Sequence, residues 1–487
     1  MTASTPQNNQ TKGAPETAPN IVYLMFDQAK AAAMSFMGND EIEMPYCDQL
    51  AAAGWVFDHA YSAAPICTPS RASVHTGLFP QVHGATCHQN RVAFNVPQLA
   101  ELLQQAGYYT AALGHYEPER NLCRGWHEQA PMHERGPLFD SWIAHIKSGR
   151  KDVAWSSGTI ECDAPEGNSA LLTDRALRML DQAEASGRPF FLHLAYDDPH
   201  PPYFVPRPYD TMYDPDSLTL PEAGDPNDLP AWQAKARKDV GTALGSEADF
   251  RKVLAVYYGM IRYIDDEMSR LHSALEEKGL LENTWIILGS DHGDYTGEKG
   301  LFNKSESLYG CLLHVPMVIV PPKGAGEPGP RRIEDLVSTV DLFPTILDMA
   351  GVTAPRNQGH SLLPWVRGGH AEPLRDSIFA QIGDYHGFIG TSWPSGMPES
   401  GRHASLTHTV RTKDRAYICD PDNGDEAYDL ACDPKELHNL TNEGMPPLDT
   451  EFEALKAKLE AFVEDCANLK SDLGVIEGDR GFVQGWE

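Results

Sequence analysis

The chain has little of what marks several classes of protein. Its 487 residues contain no apolar run close to the roughly 18 residues that a membrane-spanning helix needs, so we expect no membrane partner. Lys and Arg number 39 against 69 Asp and Glu, which gives a formal net charge of −30. Because phosphate binding needs a basic surface, this balance argues against nucleic acid as a partner. It leaves room for a local cationic pocket in an acidic protein.

Cysteine pairs and an N-terminal apolar segment are also lacking. Nine cysteines are scattered singly without a Cys-x-x-Cys pair, so the sequence does not indicate a disulfide framework. The first 19 residues are polar, without the basic and apolar regions of a secretory signal. We predict a disordered tail over 1–19 and a cytoplasmic location. A homo-oligomer is compatible with the sequence.

What the sequence does contain is an alternation of predicted strands and helices between residues 20 and 370. Apolar runs predict strands at 20–26, 108–114, 189–196 and 284–289, and amphipathic segments predict helices at 97–106, 169–185 and 250–278. This alternation predicts an α/β fold, with a large mixed, mostly parallel sheet flanked by helices, in a catalytic domain over 20–375. Segments 117–167 and 203–245 have no clear periodicity, and we expect loops there.

The chain changes character after residue 375. Short polar and aromatic segments lead through two strand-like pieces, 409–411 and 416–418, to a predicted helix at 449–466. We therefore predict a smaller C-terminal α+β subdomain over 376–487, with a short antiparallel sheet and one packed helix.

A short motif, Cys67-Thr68-Pro69-Ser70-Arg71, runs into a predicted helix. Proline suits the first helical position because it has no N–H and a fixed φ, so we expect Pro69 there and Cys67 near the N-cap. Backbone N–H groups and the helix dipole favour negative charge at that point, and Arg71 can fold back towards it. A nucleophile at Cys67 would face an anionic substrate. A buried structural cysteine beside a helix cap is the alternative.

Polar side chains follow two of the predicted strands where those strands end. Asp27 and Gln28 follow the first strand, and Asp291 and His292 follow the strand that begins at residue 284. Strand ends of this kind build the sites of open α/β sheets. Carboxylate and amide oxygens suit Ca²⁺ or Mg²⁺, and a histidine extends the choice to Mn²⁺. The two pairs together predict a metal site, although Asp27 alone could simply cap a helix.

The cysteine motif and the two strand-end pairs together resemble the signature of the type I sulfatases, the formylglycine-dependent family of the alkaline phosphatase superfamily. Three later segments resemble family features in the same order. They are the segment 292–304, which ends in a lysine, the helix 340–347 with its Asp-Leu-Phe-Pro-Thr sequence, and the turn 426–436. The resemblance covers about residues 20–440 and implies an alkaline-phosphatase-like fold.

This resemblance implies a sulfuric ester hydrolase with a modified cysteine. A formylglycine-generating maturation enzyme would oxidise Cys67 to formylglycine, whose hydrated form is the nucleophile in the family. The implied metal ligands are Asp27, Gln28, Asp291 and His292 with the converted Cys67, and Ca²⁺ is favoured over Mn²⁺ or Mg²⁺. Many members carry two aspartates where this chain has Asp27-Gln28, and the glutamine variant occurs in the wider family.

The resemblance also implies roles for cationic and imidazole side chains. Arg71 would help to hold the formylglycine hydroxyl, and Lys304 and His200 would bind the sulfate and protonate the leaving group. A base, His292 or another histidine of the site, would then help to release sulfate. His193 lies inside an apolar strand, and we interpret it as a core residue.

One departure from the family concerns the segment Gly114-His115-Tyr116-Glu117. Sulfatases commonly have Gly-Lys-Trp-His there, so either His115 takes the place of the lysine or the site is less cationic. A less cationic site would also suit a phosphonate monoester or a phosphodiester, which similar formylglycine hydrolases with an Asp-Gln and Asp-His set cleave. This is the main alternative. A non-catalytic relative would be expected to have a broken metal set, whereas here the set is intact.

The expected substrate is a small sulfated sugar, aryl or alkyl alcohol, but the leaving group is not readable from the sequence. Aromatic and histidine residues of the loop-rich segments could shape its pocket, although most are expected to be packing residues: Trp126, His127, His133, Trp142, Trp155, Tyr203 and Trp393.

Overall fold

The structure is a computed structural model of the chain, and it describes residues 18–88, 90–117, 121–131, 157–325, 331–367, 372–383 and 405–475, with 140, 141 and 144. Residues 1–17 of the predicted tail lie outside the described residues, as do His133, Trp142, Trp155 and Trp393. Pro19, which we assigned to the tail, is anchored instead, because its carbonyl oxygen accepts a hydrogen bond from Tyr108 OH at 2.9 Å.

The strands and helices are numbered along the chain. The strands are β1 Asn20–Phe26, β2 Trp55–Tyr61, β3 Tyr109–Gly114, β4 Glu128–Pro131, β5 Ser157–Asp163, β6 Phe190–Ala195, β7 Tyr203–Arg207, β8 Thr284–Ser290, β9 Met317–Val320, β10 Arg331–Ser338, β11 Ile378–Gly383, β12 Leu406–Arg411, β13 Arg415–Cys419 and β14 Glu426–Asp429. The helices are α1 Pro45–Ala53, α2 Cys67–Thr76, α3 Pro80–His83, α4 Leu99–Gln105, α5 Asn168–Ser186, α6 Ala231–Leu244, α7 Glu247–Glu277, α8 Gly310–Leu313, α9 Leu342–Met349, α10 Leu363–Val366 and α11 Thr450–Asp472.

A large mixed sheet forms the centre of the molecule. Within the described residues it has eight strands in the order β10-β2-β9-β8-β1-β6-β3-β4. Strand β9 is antiparallel to both of its neighbours, and the other pairings are parallel. The predicted mostly parallel α/β sheet is confirmed.

Strand β1 shows why an unbroken apolar run was needed at the centre of this sheet. Val22 and Leu24 belong to the core cluster that includes residues of α5 and α7 on one face. Ile21 and Tyr23 belong to the cluster that includes residues of α9 on the other. A parallel strand covered on both faces has no solvent side, so its sequence does not alternate.

The register of the central strands determines which residues meet at the carboxyl edge of the sheet. Phe26 pairs with Ser290, so the residues that follow β1 and β8 emerge side by side. Gly114 pairs with Ala195, which brings the ends of β3 and β6 to the same edge.

Two segments that we predicted to be loops contain regular structure. Within 117–167 the chain forms β4 and β5, and within 203–245 it forms β7 and helix α6. Strands β5 and β7 pair in a separate two-stranded sheet. Such short strands carry too few residues to show a period, and the Ala231–Leu244 helix has several charged residues and no strong apolar stripe.

The C-terminal part contains a four-stranded antiparallel sheet in the order β11-β12-β13-β14, with α11 packed on it. The predicted antiparallel sheet and helix are confirmed, and the helix runs further than expected, to Asp472. The boundary at residue 376 stays a prediction, since Cys466 and Leu469 of α11 also pack against Val82 and Leu78 near α3. No helix in the described part of the chain is both long enough and apolar enough to cross a membrane.

Candidate active site

Helix α2 carries the cysteine motif at its first turn. The helix begins at Cys67, with Ile66 in an extended conformation as the N-cap. The expectation that Pro69 occupies the first helical position is therefore wrong, because Pro69 is the third residue of the helix. Its missing N–H costs nothing there, since the first-turn N–H groups of a helix have no intrahelical acceptor. The first such bond runs from Ser70 N–H to Ile66 O at 3.2 Å.

The thiol of Cys67 lies at the centre of a buried group of polar side chains. Its Sγ is 3.6 Å from Asp27 Oδ1, 3.3 Å from His292 Nε2 and 2.9 Å from Lys304 Nζ. Burial, with Asp27 close by, raises the pKa of the Cys67 thiol well above its ordinary value, and Lys304 opposes this only in part. An unmodified Cys67 is therefore a protonated thiol at neutral pH.

Four residues offer donor atoms to a metal ion around this point. Donor atoms of Asp27, Cys67, Asp291 and His292 all lie within 4.8 Å of one another, and all four residues are buried. His292 Nδ1 donates to Gly293 O at 2.9 Å, which leaves the Nε2 lone pair free to bind a cation. Burial lowers the pKa of His292 to about 4, so the ring is neutral, as a ligand must be.

Gln28 completes this set with an amide. Its backbone is left-handed, with φ of 71°, and its N–H donates to Asp291 Oδ1 at 3.0 Å. Its side-chain oxygen Oε1 is buried and accepts no hydrogen bond from any residue that the structure describes. A buried carbonyl oxygen without a donor is costly unless a cation binds it. Two carboxylates, an amide oxygen and an imidazole fit a hard divalent cation, and these residues could hold one.

Arg71 contacts two carboxylates of this group and one backbone carbonyl oxygen. Its Nη2 lies 3.0 Å from Asp27 Oδ2 and 2.8 Å from Asp291 Oδ2, and its Nε donates to Asp291 Oδ2 at 2.9 Å. Its Nη1 donates to the carbonyl oxygen of His115. The buried guanidinium therefore bridges two carboxylates, offsets one of their two charges and connects α2 to three strand ends.

His115 stands on the other side of Asp27, held between carboxylates. Its Nδ1 is 2.5 Å from Asp27 Oδ2 and 3.5 Å from Asp197 Oδ1, and its Nε2 is 3.2 Å from Glu117 Oε1. Burial and Arg71 lower the pKa of His115, but Asp27 and Glu117 outweigh them and raise it to about 10. In this environment His115 carries a positive charge.

Lys304 and His200 complete the group of predicted residues. Burial alone would lower the pKa of Lys304, but the hydrogen bond to Cys67 Sγ and the charges of Asp27 and Asp291 raise it, so the ammonium stays charged. The His200 ring lies 6.3 Å from that of His115, centroid to centroid, and its Nδ1 is 2.6 Å from Pro201 O. Burial and Lys304 hold the pKa of His200 well below its ordinary value, so this imidazole is neutral.

The structure thus brings the predicted site residues into one region, and it adds three carboxylates that we did not assign to the site: Asp197, Glu117 and Asp294. Asp197 directly follows the predicted strand 189–196, so the strand-end rule applied once more would have found it. Glu117 and Asp294 carried no signal beyond their proximity to motif residues.

His193 is confirmed as a buried core residue, although the expectation that its ring nitrogens are satisfied there is wrong. It belongs to β6, and its ring stacks on Tyr23 with a centroid separation of 5.0 Å. Neither of its ring nitrogens has a hydrogen-bond partner among the described residues.

Comparisons with known proteins identify the family of this chain. A family model described as Sulfatase matches residues 19–352, and one described as N-sulphoglucosamine sulphohydrolase, C-terminal, matches residues 297–465. An arylsulfatase of Clostridium perfringens is 29% identical over 463 residues, which cover 87% of this chain and 90% of that protein.

Two solved structures share the fold. The phosphonate monoester hydrolase of Agrobacterium radiobacter matches with a TM-score of 0.73 at 22% identity, over 93% of this chain and 96% of that chain. A protein solved in complex with its substrate D-glucosamine-2-N,6-O-disulfate matches with a TM-score of 0.69 at 21% identity, over 93% of this chain and 98% of that chain. The chain therefore belongs to the sulfatase family, within the alkaline phosphatase superfamily, and is a sulfuric ester hydrolase.

Proposed function

We propose that this chain hydrolyses a small sulfate ester to an alcohol and inorganic sulfate, using formylglycine made from Cys67 and one divalent metal ion, for which Ca²⁺ is favoured. The observation that carries the proposal is the convergence on Cys67 Sγ of Asp27, His292 and Lys304, within 3.6 Å. A thiol with a raised pKa is a poor nucleophile, which supports conversion of this side chain by a maturation enzyme.

When present, formylglycine supplies a hydrated aldehyde as the nucleophile, and the metal supplies Lewis-acid charge beside it. The chain's own residues prepare the surroundings of that reaction. Arg71 balances Asp27 and Asp291 and keeps both carboxylates in place. Lys304 presents an ammonium 2.9 Å from the Sγ position, where it can bind a sulfate oxygen.

The leaving-group proton is better supplied by Lys304 than by His200. Lys304 is charged and has a proton to give. His200 is neutral, and with Nδ1–H donating to Pro201 O its Nε2 carries a lone pair rather than a proton. His200 can therefore contact the substrate or accept a proton. It can act as an acid only after it has been protonated.

A second candidate function is hydrolysis of a phosphonate monoester or a phosphodiester at the same centre. The observation that favours it is His115, whose charge is shared among Asp27, Glu117 and Asp197 in the place where the family commonly has a lysine. All three substrate types carry a single negative charge, so the same cationic groups can bind each of them.

A side-by-side comparison of kcat/KM tests the choice between these functions. The substrates are an aryl sulfate, several sugar sulfates, an alkyl sulfate, a phosphonate monoester and a phosphodiester, assayed on enzyme whose Cys67 conversion has been verified by mass. We expect a sulfate ester to be the best substrate. A phosphonate monoester or a phosphodiester turned over fastest would overturn the proposal in favour of the second function.

The variant His115→Lys sharpens that comparison. If His115 sets the anion preference, the introduced lysine should raise the ratio of sulfate to phosphonate turnover. An unchanged ratio would show that His115 does not control this choice.

A further inference from the structure

The Gln28 side chain is held in one orientation by acceptors for both of its amide N–H groups. Its Nε2 lies 2.6 Å from Asp294 Oδ2 and 3.0 Å from Asn303 Oδ1. The oxygen Oε1 is the atom left over, and it is buried without a donor in the described part of the chain. Since an amide nitrogen offers a cation no lone pair, the choice between oxygen and nitrogen decides whether Gln28 can be a ligand.

Asp294 is suited to fix the orientation of the Gln28 amide, because an ionised carboxylate accepts hydrogen bonds and donates none. Its Oδ1 accepts from the backbone N–H groups of Thr296 at 2.7 Å and Asn303 at 3.1 Å. Its Oδ2 accepts from Tyr203 OH at 2.8 Å and from Gln28 Nε2. The carboxylate is fully buried, and four donors occupy its two oxygens.

We propose that Asp294 is a positioning residue of the metal centre, which together with Asn303 turns the Gln28 amide so that its oxygen, and not its nitrogen, is presented to the cation. Asp294 itself does not bind the metal. The inference rests on the proposed function, in which Gln28 is a metal ligand.

The backbone around Asp294 makes the consequence of Asp294→Asn specific. The N–H groups of Thr296 and Asn303 would keep the oxygen of the new amide at the Oδ1 position. Its NH₂ group would then replace Oδ2 and face Gln28. Gln28 would turn its own oxygen towards that donor and its NH₂ towards the metal. Loss of such an outer partner typically lowers metal affinity about 10–100-fold, and we expect a loss of that size.

The reciprocal exchange should restore the site. In Gln28→Glu alone, two carboxylates face each other at the short contact between residues 28 and 294 and repel, so the new side chain is displaced and Mn²⁺ affinity falls. In the double variant Gln28→Glu/Asp294→Asn, the new amide donates to one oxygen of the new carboxylate and leaves the other for the metal. The formal charge equals that of the wild type, and we expect an affinity within about tenfold of it.

The experiment is a titration of the full-length, metal-free protein with Mn²⁺, followed by the electron paramagnetic resonance signal of free Mn²⁺. Mass spectrometry confirms that Cys67 is in the same state in every sample, and thermal unfolding confirms the fold. Asp198→Asn is the matched control, because it removes another buried carboxylate close by, one that accepts from Ser169 and does not touch Gln28. We expect its Mn²⁺ affinity to change by less than about threefold, because an amide can accept the same bond from Ser169 and the Asp198 side chain makes no hydrogen bond to a proposed ligand in the described part of the chain.

Each outcome decides the proposal. Wild-type affinity in Asp294→Asn, or a double variant no better than the single variants, would overturn the positioning role. If Asp294→Asn does not fold, the comparison of Gln28→Glu with the double variant still tests the coupling. Asp291→Asn separates the two levels of inference. If it abolishes Mn²⁺ binding while Asp294→Asn does not weaken it, the metal centre stands and the positioning role fails. If the wild type binds no Mn²⁺, both fail.

Discussion

The structure has two groups of buried charged side chains, one at the carboxyl edge of the large sheet and one where the C-terminal sheet contacts α8. The two groups differ in which of their atoms lack a hydrogen-bond partner. At the sheet edge, Gln28 Oε1 has no donor, and Cys67 Sγ lies among the groups proposed to carry out the reaction. In the second group, Glu436 Oε2 accepts from Gly310 N–H at 2.7 Å and Oε1 pairs with Arg411. There both carboxylate oxygens have a donor, and the atom without a partner among the described residues is a donor nitrogen, Arg411 Nε.

Glu426 belongs to the second group and follows the same pattern. Its Oε2 accepts from Tyr309 OH at 2.7 Å and from Tyr428 OH at 2.6 Å. Lys299 donates to the carbonyl oxygen of Glu436 and lies 4.1 Å from the centroid of the Tyr309 ring. Family-like sequence motifs therefore serve two purposes in this chain. Those at the sheet edge supply the groups that we propose for the reaction, and the late motif around 426–436 holds the C-terminal sheet against α8.

The largest expected effect is the loss of turnover in a variant of Cys67, and it should occur without any loss of the fold. Cys67→Ala should abolish turnover and leave the fold intact, because the nucleophile is lost while the buried volume changes by one sulfur atom. Steady-state assays and thermal unfolding would check this. The matched control is Cys466→Ala, another fully buried cysteine, which contacts Gln358 away from the site and should keep full turnover. An unfolded Cys67→Ala protein would support a structural cysteine.

The second largest effect is expected for Asp291→Asn, in which metal affinity and turnover should fall together. Asp291 contacts Arg71 and the backbone N–H of Gln28, so its charge helps to hold both. Loss of a metal's contribution of several kcal/mol predicts a fall in kcat/KM of about 100-fold or more. Isothermal titration with Ca²⁺ and rates at saturating Ca²⁺ measure the two effects. Full wild-type activity in the presence of a chelator would contradict a metal role.

The sequence predicts features that local patterns determine, and it does not predict contacts between residues that are far apart in the chain. The strand ends at Asp27 and Asp291 and the apolar run of β1 were predictable, because local periodicity and the geometry of parallel sheets determine them. The partners of Arg71 were not, since its contacts with Asp27 and Asp291 span 44 and 220 residues of chain. The orientation of Gln28 depends on Asp294 and Asn303, and no local pattern encodes it.

Arg411→Ala should produce the reverse of the Cys67 result. Removing the guanidinium leaves Glu436 buried without its partner, which typically costs about 3–5 kcal/mol of unfolding free energy. Turnover per folded molecule should be unchanged. Arg415→Ala is the control, because its partners Asp449 and Glu451 are more than half exposed, and we expect these pairs and its contact with the Phe452 ring to contribute about 1–2 kcal/mol in all. Chemical denaturation would measure both, and equal losses would contradict the comparison.

A smaller effect should appear in the pH dependence of stability. Burial raises the pKa of Glu426 from 4.5 to about 7, against hydrogen bonds from Tyr428 and Tyr309. The folded state therefore holds a proton that the unfolded state releases. This contribution to stability is complete below pH 4.5 and is lost as the pH rises through 7, by about 3 kcal/mol.

Glu426→Gln should remove that dependence, since an amide accepts from both tyrosines and does not titrate. Denaturation curves of both proteins between pH 5 and pH 8 would measure the difference. If the unfolding free energies of the two proteins differ by the same amount at every pH, Glu426 is not the titrating group.

The most direct test of the account is the mass of the peptide that contains Cys67, measured in enzyme of known specific activity. Formylglycine lowers the mass of that peptide by about 18 Da relative to the thiol. Across preparations made with increasing amounts of a formylglycine-generating enzyme, we expect sulfate-ester turnover to rise in proportion to the converted fraction. Full turnover by a preparation in which Cys67 is entirely a thiol would contradict the account.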